Sequence, residues 1–463
     1  MSRQNAIAVF DIGKTNKKLL LFNEQYEIIF EQSFKFDETK DEDGFPCEDV
    51  LALTEWVKHS LTAAMSLSDA EVKAINFSAY GASFVHVDKE CKPIAPLYNY
   101  LKPFPESLKH EFYNKYGGEI NFSQTTASPI LGNLNSGLQL YRLKYEQPEL
   151  FNKIFCSLHL PQYLSSIITK ENYSDITSIG CHTALWDFQQ SRYHDWVYKE
   201  NILEKLAPIF PLDEAIQAQC GELILQVGIG MHDSSAALIP YLLNFTEPFI
   251  LLSTGTWNIS LNPFDQTKLT EDELKKDCLC YMGYKGKQVK ASRLFAGYEH
   301  EEQTKRLTGH FHVSSDYYRT IGFDAAIISK LSVIHNTITA SSGTSMLKNS
   351  AFGQRTIADL GDYETAYHQL MLDIIAQQML STNLVLQNTN AKKFFVDGGF
   401  SRNSVFMNLL ARAFPQMEVC ASTVAQASSI GAALAIHKHW NNKAMPEDMI
   451  QLKLYSAKHD PVV

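Results

Sequence analysis

Two short segments of the chain share one pattern, and they lie about half the chain apart. Residues 6–22 read AIAVFDIGKTNKKLLLF, and residues 248–262 read PFILLSTGTWNISLN. Each begins with an apolar strand, which a polar residue follows. A glycine stands two positions after that polar residue, and a Thr or Asn leads into a second strand. This pattern is typical of a β-hairpin with a tight turn. A pattern repeated at this distance predicts two similar domains, each opening with such a hairpin, over residues 1–244 and 245–463.

The composition narrows the class of protein. The chain has 463 residues, too many for one core, and its 45% hydrophobic and 20% charged residues are typical of a globular protein. A net charge of −10 with no Lys/Arg run argues against a nucleic-acid surface. No stretch reaches the ~20 apolar residues of a membrane helix, and the N-terminal apolar run is too short for a secretory signal. Cys278 and Cys280 have no second pair that would complete a zinc site, so we expect free thiols in a cytoplasmic protein.

Two helices are predicted from the spacing of their apolar residues. LTEWVKHSLTAAMS, residues 53–66, has helical spacing, and Thr54 is its candidate N-cap. Residues 362–388 form the longest amphipathic pattern, and Asp362 is the candidate N-cap there.

The first hairpin contains Gly13-Lys14-Thr15, the core of a phosphate-binding P-loop. A P-loop also needs a glycine five positions earlier and a helix afterwards, but Ala8 occupies that position and a strand pattern follows, so this motif is excluded. Two interpretations remain, an ordinary hairpin turn and a turn whose N–H groups, hydroxyl and lysines bind phosphate. The second copy in STGTW favours two phosphate-binding turns acting on one polyanion.

Two aspartates follow apolar strands. Asp11 ends the first strand beside the predicted phosphate turn, where it suits either a Mg²⁺ ligand acting through water or a turn-stabilising residue. Asp233, in GMHDSSAAL, begins a helix and suits either an N-cap or a general base for a substrate hydroxyl. The adjacent His232 suits either a sugar contact or a structural role.

The segment KKFFVDGGFSRN ends a strand with two glycines. Gly398 and Gly399 allow the backbone to approach a flat ring or a ribose closely, and they equally suit a tight strand–helix turn.

Together these motifs resemble the FGGY carbohydrate kinases, in the actin–hexokinase–Hsp70 superfamily. The resemblance covers most of the chain and is densest at residues 6–22, 223–262 and 392–436. It implies an α/β fold of two ribonuclease-H-like domains of the actin-like ATPase type, with a cleft between them. It also implies ATP and Mg²⁺ as cofactors, and family analogy suggests a homodimer.

The resemblance carries roles onto individual residues. The family's first motif, roughly Asp-x-Gly-Thr-Thr-Ser-x-Arg, is matched by residues 11–18, where Lys18 replaces the Arg and Lys14 replaces a small residue. Asp233 matches the family's catalytic aspartate, and Asp11, the candidate Mg²⁺ ligand, is the first residue of the first motif. The implied nucleotide-binding residues are Gly13, Lys14, Thr15, Asn16, Lys18, Gly255, Thr256, Gly398, Gly399 and Asn403. The implied sugar-binding residues are Tyr80, Gly81, His232 and Asp233.

Within the family, HDSSAA and STGTW look most like the L-rhamnulose kinase branch, with L-fuculose kinases second. The resemblance therefore implies transfer of the γ-phosphate of ATP to the 1-hydroxyl of a deoxyketohexose, with a pentulose as an alternative. One segment departs from the family, because YNYLKPFPE at 98–106 lacks the Asp and Arg of the usual Trp/Tyr-x-Asp-x-Arg stretch near the sugar. An actin- or Hsp70-like ATPase and a sugar-sensing non-enzyme remain as alternatives of another class.

Overall fold

The structure is a computed structural model that describes residues 3–334, 350–422, 426–446 and 449–456. The chain divides into two compact units. Unit 1 consists of Met1–Asn244, Cys280–Gln288 and Gln426–Met449, and unit 2 consists of Phe245–Leu279, Val289–Ala425 and Ile450–Val463.

The first 244 residues contain both strands and helices. The strands there are β1 (Gln4–Ile12), β2 (Lys17–Asn23), β3 (Ile28–Phe34), β4 (Thr39–Lys40), β5 (Pro46–Cys47), β6 (Ala70–Ala79), β7 (Phe84–Val87), β8 (Cys156–His159), β9 (Trp186–Asp187), β10 (Arg192–Tyr193), β11 (Ile216–Cys220), β12 (Leu223–Val227) and β13 (Met231–His232). The α-helices are α1 (Val50–Met65), α2 (Glu106–Lys115), α3 (Glu119–Thr126), α4 (Ser136–Glu146), α5 (Pro148–Lys153), α6 (Leu160–Thr169), α7 (Ile176–Ile179), α8 (Asp195–Lys199) and α9 (Asp233–Asn244).

The rest of the chain adds a second set of elements. Its strands are β14 (Phe249–Thr254), β15 (Asn258–Asn262), β16 (Cys278–Met282), β17 (Gln288–Leu294), β18 (Lys393–Gly398), β19 (Glu418–Ser422) and β20 (Leu452–Tyr455). Its α-helices are α10 (Glu271–Lys275), α11 (Ala296–Phe311), α12 (Ala325–Ile334), α13 (Tyr363–Leu386), α14 (Ser404–Ala413) and α15 (Ala427–Ala435).

The two large sheets repeat one topology. In unit 1 the strand order is β11-β12-β6-β1-β2-β3, where β1, β2 and β3 are antiparallel and β6 is parallel to β1 and β12. In the other sheet the order is β16-β17-β15-β14-β18-β19-β20, where β14, β15 and β17 are antiparallel and β18 is parallel to β14 and β19. Both sheets therefore have an antiparallel hairpin beside parallel strands. The predicted pair of hairpins is confirmed, and the predicted cleft stays a prediction.

Burial explains why β1 reads as an unbroken apolar run. Ala6 to Phe10 are fully buried, as expected for a central strand with packed layers on both faces. The helix predicted at residues 53–66 starts earlier than expected, because Asp49 caps α1 by accepting from the backbone N–H groups of Leu51 and Ala52. The prediction of Thr54 as N-cap was wrong, since its hydroxyl lies inside the helix and donates to the Val50 carbonyl at 2.7 Å. The predicted cap Asp362 is confirmed, because it accepts from the Thr365 N–H at 2.7 Å.

Unit 1 has a second, aromatic core apart from its sheet. Phe112 is fully buried at its centre and meets Phe122, Tyr141 and Trp196 edge to face, at centroid distances of 5.1, 4.8 and 5.2 Å. The sequence gives this region no clear period. Its helices are short, and contacts between them rather than a long apolar stripe bury these rings.

Candidate active site

The β1–β2 turn is stabilised by a hydrogen bond within its own backbone and by a buried ion pair at its base. The Gly13 N–H donates to the Asn16 carbonyl at 2.9 Å. Lys17 is buried, donates to the Lys14 carbonyl at 3.0 Å and forms a buried ion pair with Glu48. Because a buried lysine needs a charge partner, this pair fixes the base of the turn. Sequence reasoning missed Lys17, since the distant Glu48 decides its role.

The side chains at the tip of the turn face outward. Thr15 and Asn16 are exposed. Lys14 pairs with Glu38 at 3.1 Å and Lys18 pairs with Glu31 at 2.9 Å, and both lysines are about a quarter exposed. Exposed pairs of this kind contribute little to stability, so both ammonium groups can turn to another anion at small cost.

Asp11 ends β1 against the first turn of α15. Its Oδ2 accepts from the hydroxyls of Ser428 and Ser429 at 2.8 and 3.0 Å. Burial raises the pKa of Asp11, the two hydroxyls oppose that effect, and the charge of Asp233 raises the pKa further. The negative charge of Asp233 thus disfavours an ionised Asp11, and a cation beside Asp11 would offset that repulsion.

Asp233 begins α9, but it does not cap that helix. Its Oδ1 accepts from the Ser234 N–H at 2.6 Å and from the Ser234 hydroxyl at 3.3 Å, whereas a capping side chain bonds the second or third amide of the helix. Its side chain is 34% exposed. Partial burial raises the pKa of this carboxyl to about 6. A reachable carboxylate with a raised pKa is suited to accept a proton near neutral pH.

His232 lies beside Asp233 and is buried. Its Nε2 lies 3.2 Å from Asp233 Oδ1 and 3.2 Å from Cys181 Sγ, and its ring meets Tyr281 edge to face at 5.2 Å. Burial lowers the pKa of His232 to about 3, so the imidazole is neutral. A Cβ on Gly81 would lie 3.1 Å from both the His232 ring and Cys181 Sγ. The structure therefore brings Gly81, His232 and Asp233 together, and it adds Cys181, which no sequence motif indicated.

Tyr80 connects this group to the β1–β2 turn. Its hydroxyl donates to Glu48, the same carboxylate that pairs with Lys17. Its ring lies 6.2 Å from Tyr100 and 5.9 Å from the Lys14 ammonium. The predicted sugar side and the predicted phosphate side of unit 1 therefore share one buried acid.

The atypical 98–106 segment places a buried lysine near this site. Lys102 donates to Asp41 at 2.5 Å and to Asp43 at 2.6 Å, and Asp41 is fully buried. Tyr100, two residues earlier, lies against Tyr80. The segment thus presents an aromatic ring and a neutralised cation where the family pattern has an Asp and an Arg.

In unit 2, the β14–β15 turn is held by backbone contacts. The Gly255 N–H donates to the Trp257 carbonyl at 2.9 Å, and the Tyr298 N–H donates to the Thr256 carbonyl at 3.2 Å. Helix α11 crosses so closely that a Cβ on Gly297 would lie 1.8 Å from the Gly255 carbonyl oxygen. Gly297 is therefore required for this turn, a requirement that the sequence alone does not reveal.

Three positions whose glycines are predicted to bind nucleotide differ in whether the fold itself requires a glycine there. Gly398 has φ +84°, and its Cβ would lie 1.9 Å from the Thr254 carbonyl oxygen, so protein geometry demands glycine there. A Cβ added to Gly399 would meet no described atom within 4 Å. A Cβ added to Gly255 would have the Trp257 carbonyl oxygen as its nearest neighbour, at 3.9 Å. Packing does not explain glycine at these two positions, which fits close approach of a ligand to the backbone.

Two further polar residues lie around this loop. Asn403 caps α14 by accepting from the Phe406 N–H at 3.0 Å, and its amide donates to the Tyr367 hydroxyl at 2.7 Å. Asp397, at the end of β18, was not predicted from the sequence. Burial raises its pKa to about 6, and its carboxylate accepts from the Gly398 N–H at 2.7 Å.

Comparison with protein-family models identifies both halves of the chain. The N-terminal domain of the FGGY family of carbohydrate kinases matches residues 6–223. The C-terminal domain of FGGY carbohydrate kinases matches residues 246–444. The chain belongs to the FGGY family of carbohydrate kinases. This confirms the family predicted from the motifs.

Curated relatives of this FGGY protein include two kinds of sugar kinase. It is 21% identical to a rhamnulokinase of Halalkalibacterium halodurans over 54% of each chain. It is 24% identical to the L-fuculokinase of Escherichia coli K12 over 56% of each chain. The matched region thus spans about half the length of the curated relatives.

A solved structure extends the likeness over nearly the whole FGGY chain. The ligand-bound xylulose kinase from Lactobacillus acidophilus superposes with a TM-score of 0.77 over 98% of this chain and 94% of that one, at 15% identity. At this identity the likeness concerns the fold. Together with the two sheets described above, it confirms the actin-like ATPase fold.

The described part of this FGGY protein contains neither a metal cluster made of protein side chains alone nor a membrane-spanning helix. No cluster of three or more His, Cys, Asp or Glu side chains there could hold a metal by itself. Mg²⁺ commonly binds through one or two carboxylates together with substrate phosphates, so Asp11 fits such a metal. Within the same residues, no helix combines the length and apolar composition needed to cross a bilayer.

Proposed function

We propose that this protein transfers the γ-phosphate of Mg-ATP to a hydroxyl of an uncharged sugar, with Asp233 as the general base. The arrangement of Asp233 carries the proposal, because its carboxylate leaves the capping position, is partly exposed and has a raised pKa beside a neutral His232. Family membership supports the reaction class.

In the proposed reaction the sugar oxygen forms a bond to the γ-phosphorus while the bond to the β–γ bridging oxygen breaks. The hydroxyl proton passes to Asp233, and ADP leaves. Bound Mg²⁺ supplies charge neutralisation on the phosphate oxygens, and Asp11 would hold it through water. His232 and Gly81 orient the sugar, and most of the acceleration comes from positioning and electrostatic stabilisation.

For the nucleotide, each unit is assigned its own residues. In unit 1 we assign the backbone of Gly13 and the side chains of Lys14, Thr15, Asn16 and Lys18 to the phosphates. In unit 2 we assign Gly255 and Thr256 to the phosphates and Gly398, Gly399 and Asn403 to the adenosine. The free space around Gly255 and Gly399 supports this assignment.

The charges beside the predicted sugar residues favour a neutral substrate. His232 is uncharged, Lys17 is paired with Glu48, and Lys102 is paired with Asp41 and Asp43. A carboxylate on the sugar would have to compete with these acids and would face Asp233. We therefore propose a deoxyketohexose such as L-rhamnulose, phosphorylated at its 1-hydroxyl. The rhamnulokinase and L-fuculokinase relatives support this choice over a pentulose.

The test is ATP consumption coupled to ADP detection over a panel of sugars. The panel contains L-rhamnulose, L-fuculose, D- and L-ribulose, D- and L-xylulose, glycerol and the acid D-gluconate. We expect the highest kcat/KM for L-rhamnulose, little turnover with D-gluconate, and a kcat lowered by roughly 10²–10⁴ in Asp233→Asn. A best response to a xylulose or ribulose would move the assignment to the pentulose kinases. Turnover independent of every sugar would instead favour an actin- or Hsp70-like ATPase.

A further inference from the structure

A buried hydrogen-bonded chain leads from Asp175 to the backbone of His232. Asp175 and Thr177 are fully buried, and His232 is 4% exposed. The Asp175 carboxylate accepts from the Thr177 N–H at 2.6 Å, from the Ser178 N–H at 3.1 Å and from the Thr177 hydroxyl. The His232 N–H in turn reaches Thr177 Oγ1 at 3.1 Å.

The direction of this chain follows from its chemistry. A backbone N–H can only donate, so Thr177 Oγ1 accepts from His232. The hydroxyl hydrogen is then available to Asp175, whose carboxylate oxygen accepts it. Every member thus has a partner, and the hydroxyl holds one orientation.

The segment that is held in this way is short. Strand β13 has two residues, and it pairs with β6 through Met231↔Ser78 and His232↔Ala79. The preceding Gly230 has φ +83°, a left-handed conformation that suits glycine, and β13 runs along β6 in the same direction as β12. The next residue is Asp233. The residues after Thr177 also reach this point, because Cys181 Sγ lies 3.2 Å from His232 Nε2.

We propose that Thr177, oriented by Asp175, is a positioning residue that fixes the backbone of His232 and thereby the carboxylate of Asp233. The inference rests on the proposed function, in which Asp233 accepts the proton. Thr177 itself touches neither sugar nor ATP in this scheme. Its loss therefore lowers the rate of the chemical step without weakening nucleotide binding.

The experiment compares Thr177→Val, which keeps the side-chain shape and removes the hydroxyl, with Thr177→Ser, which keeps the hydroxyl. The matched control is Thr183→Val. The Thr183 hydroxyl is also buried, donates to the Ile179 carbonyl at 2.5 Å and accepts from the Leu185 N–H at 3.1 Å, and neither bond involves His232. Its loss therefore reports the general effect of removing a buried hydroxyl from this segment.

We expect kcat to fall about tenfold or more in Thr177→Val, while KM for ATP stays within about twofold, because a small displacement of a reacting group is costly. Thr177→Ser and Thr183→Val should keep kcat near the wild-type value. The proposal is overturned by a wild-type kcat in Thr177→Val, by an equal loss in Thr183→Val, or by failure of Thr177→Ser to restore activity. If Thr177→Val does not fold, Asp175→Asn replaces it, with a lowered kcat expected and a wild-type kcat overturning the proposal.

A second measurement does not depend on activity. Amide hydrogen exchange followed by mass spectrometry on a peptide that contains His232 should show about tenfold faster exchange when the Thr177 hydroxyl is lost, and unchanged exchange in Thr183→Val. Equal exchange in the wild type and the Thr177 variant would overturn the anchoring role. If the wild-type protein turned over no sugar while this exchange difference was present, the proposed function would fail and the anchor would stand.

Discussion

The two hairpin sheets have the same strand pattern but carry their acid on different strands. In unit 1 the acid is Asp11 on β1, and its parallel partner on β6 is Ser78. In unit 2 the partners are exchanged, because Ser253 lies on β14 and the acid Asp397 lies on β18. The hydrogen bonds differ as well, since Asp11 accepts two serine hydroxyls and Asp397 accepts the N–H of the following glycine. Topology alone therefore does not determine which strand end carries the acid.

The largest expected effect concerns Asp233 in unit 1, the proposed general base. Asp233→Asn removes proton acceptance and should lower kcat by roughly 10²–10⁴, with ATP binding retained. Asp397→Asn is the matched change in unit 2 and should keep more than a tenth of the activity. Steady-state kinetics measures kcat, and calorimetric titration with ATP measures the affinity for ATP. Near-normal turnover in Asp233→Asn would remove the general-base role.

The next effect concerns how the second turn is packed. Gly297→Ala drives a Cβ against the Gly255 carbonyl, and it should lower the free energy of unfolding by about 3 kcal/mol. Gly255→Ala has room, so it should cost little stability and should raise KM for ATP if a phosphate approaches there. Urea denaturation and ATP kinetics separate the two. A stable Gly297→Ala would contradict the close packing.

Asp11 on β1 and Ser253 on β14 occupy equivalent positions near the ends of their strands, so their variants can be compared directly. Asp11→Asn should lower kcat about tenfold to a hundredfold and raise the Mg²⁺ concentration needed for half-maximal activity, since we propose that its carboxylate holds the metal. Ser253→Ala, at the equivalent position of unit 2, should leave both values near the wild type. A normal Mg²⁺ requirement in Asp11→Asn would contradict its assignment to the metal.

The pH dependence of kcat distinguishes the two carboxyl groups whose pKa is raised. Burial raises the pKa of Asp233 and of Asp397 to about 6 each, so each stays protonated to a higher pH than an ordinary aspartate. A protonated Asp233 cannot accept the sugar proton, so kcat should fall about tenfold per pH unit below 6 and level off above it. Asp397→Asn should keep this limb. If the limb disappears in that variant, the titrating group belongs to unit 2.

The smallest effect concerns the lysines that only the first turn has. Lys14→Ala and Lys18→Ala break exposed pairs with Glu38 and Glu31, so the free energy of unfolding should change by less than about 1 kcal/mol. If either ammonium turns to a phosphate, its loss raises KM for ATP. Unchanged KM in both variants would leave phosphate binding to the backbone of the turn.

The sequence predicted those features that local pattern controls. The two hairpins, the long helix capped by Asp362 and the helix that Asp233 begins follow from apolar spacing and residue type. The N-cap of α1 was misjudged because Asp49 lies before the apolar pattern starts, and capping depends on backbone geometry rather than on periodicity. Asp397 was not predicted, because the interpretation of that motif rested on the two glycines that follow it.

The sequence by itself determined that this chain has two β-hairpins of one pattern and belongs to a kinase family, because short stretches of consecutive residues encode those features. Only the tertiary structure decided which polar groups work together. Lys17 meets Glu48, Lys102 meets Asp41, and Thr177 meets His232 across separations that no local pattern spans. The physical reason is that a buried charge or hydroxyl must find a partner, and folding rather than chain order sets which partner is near.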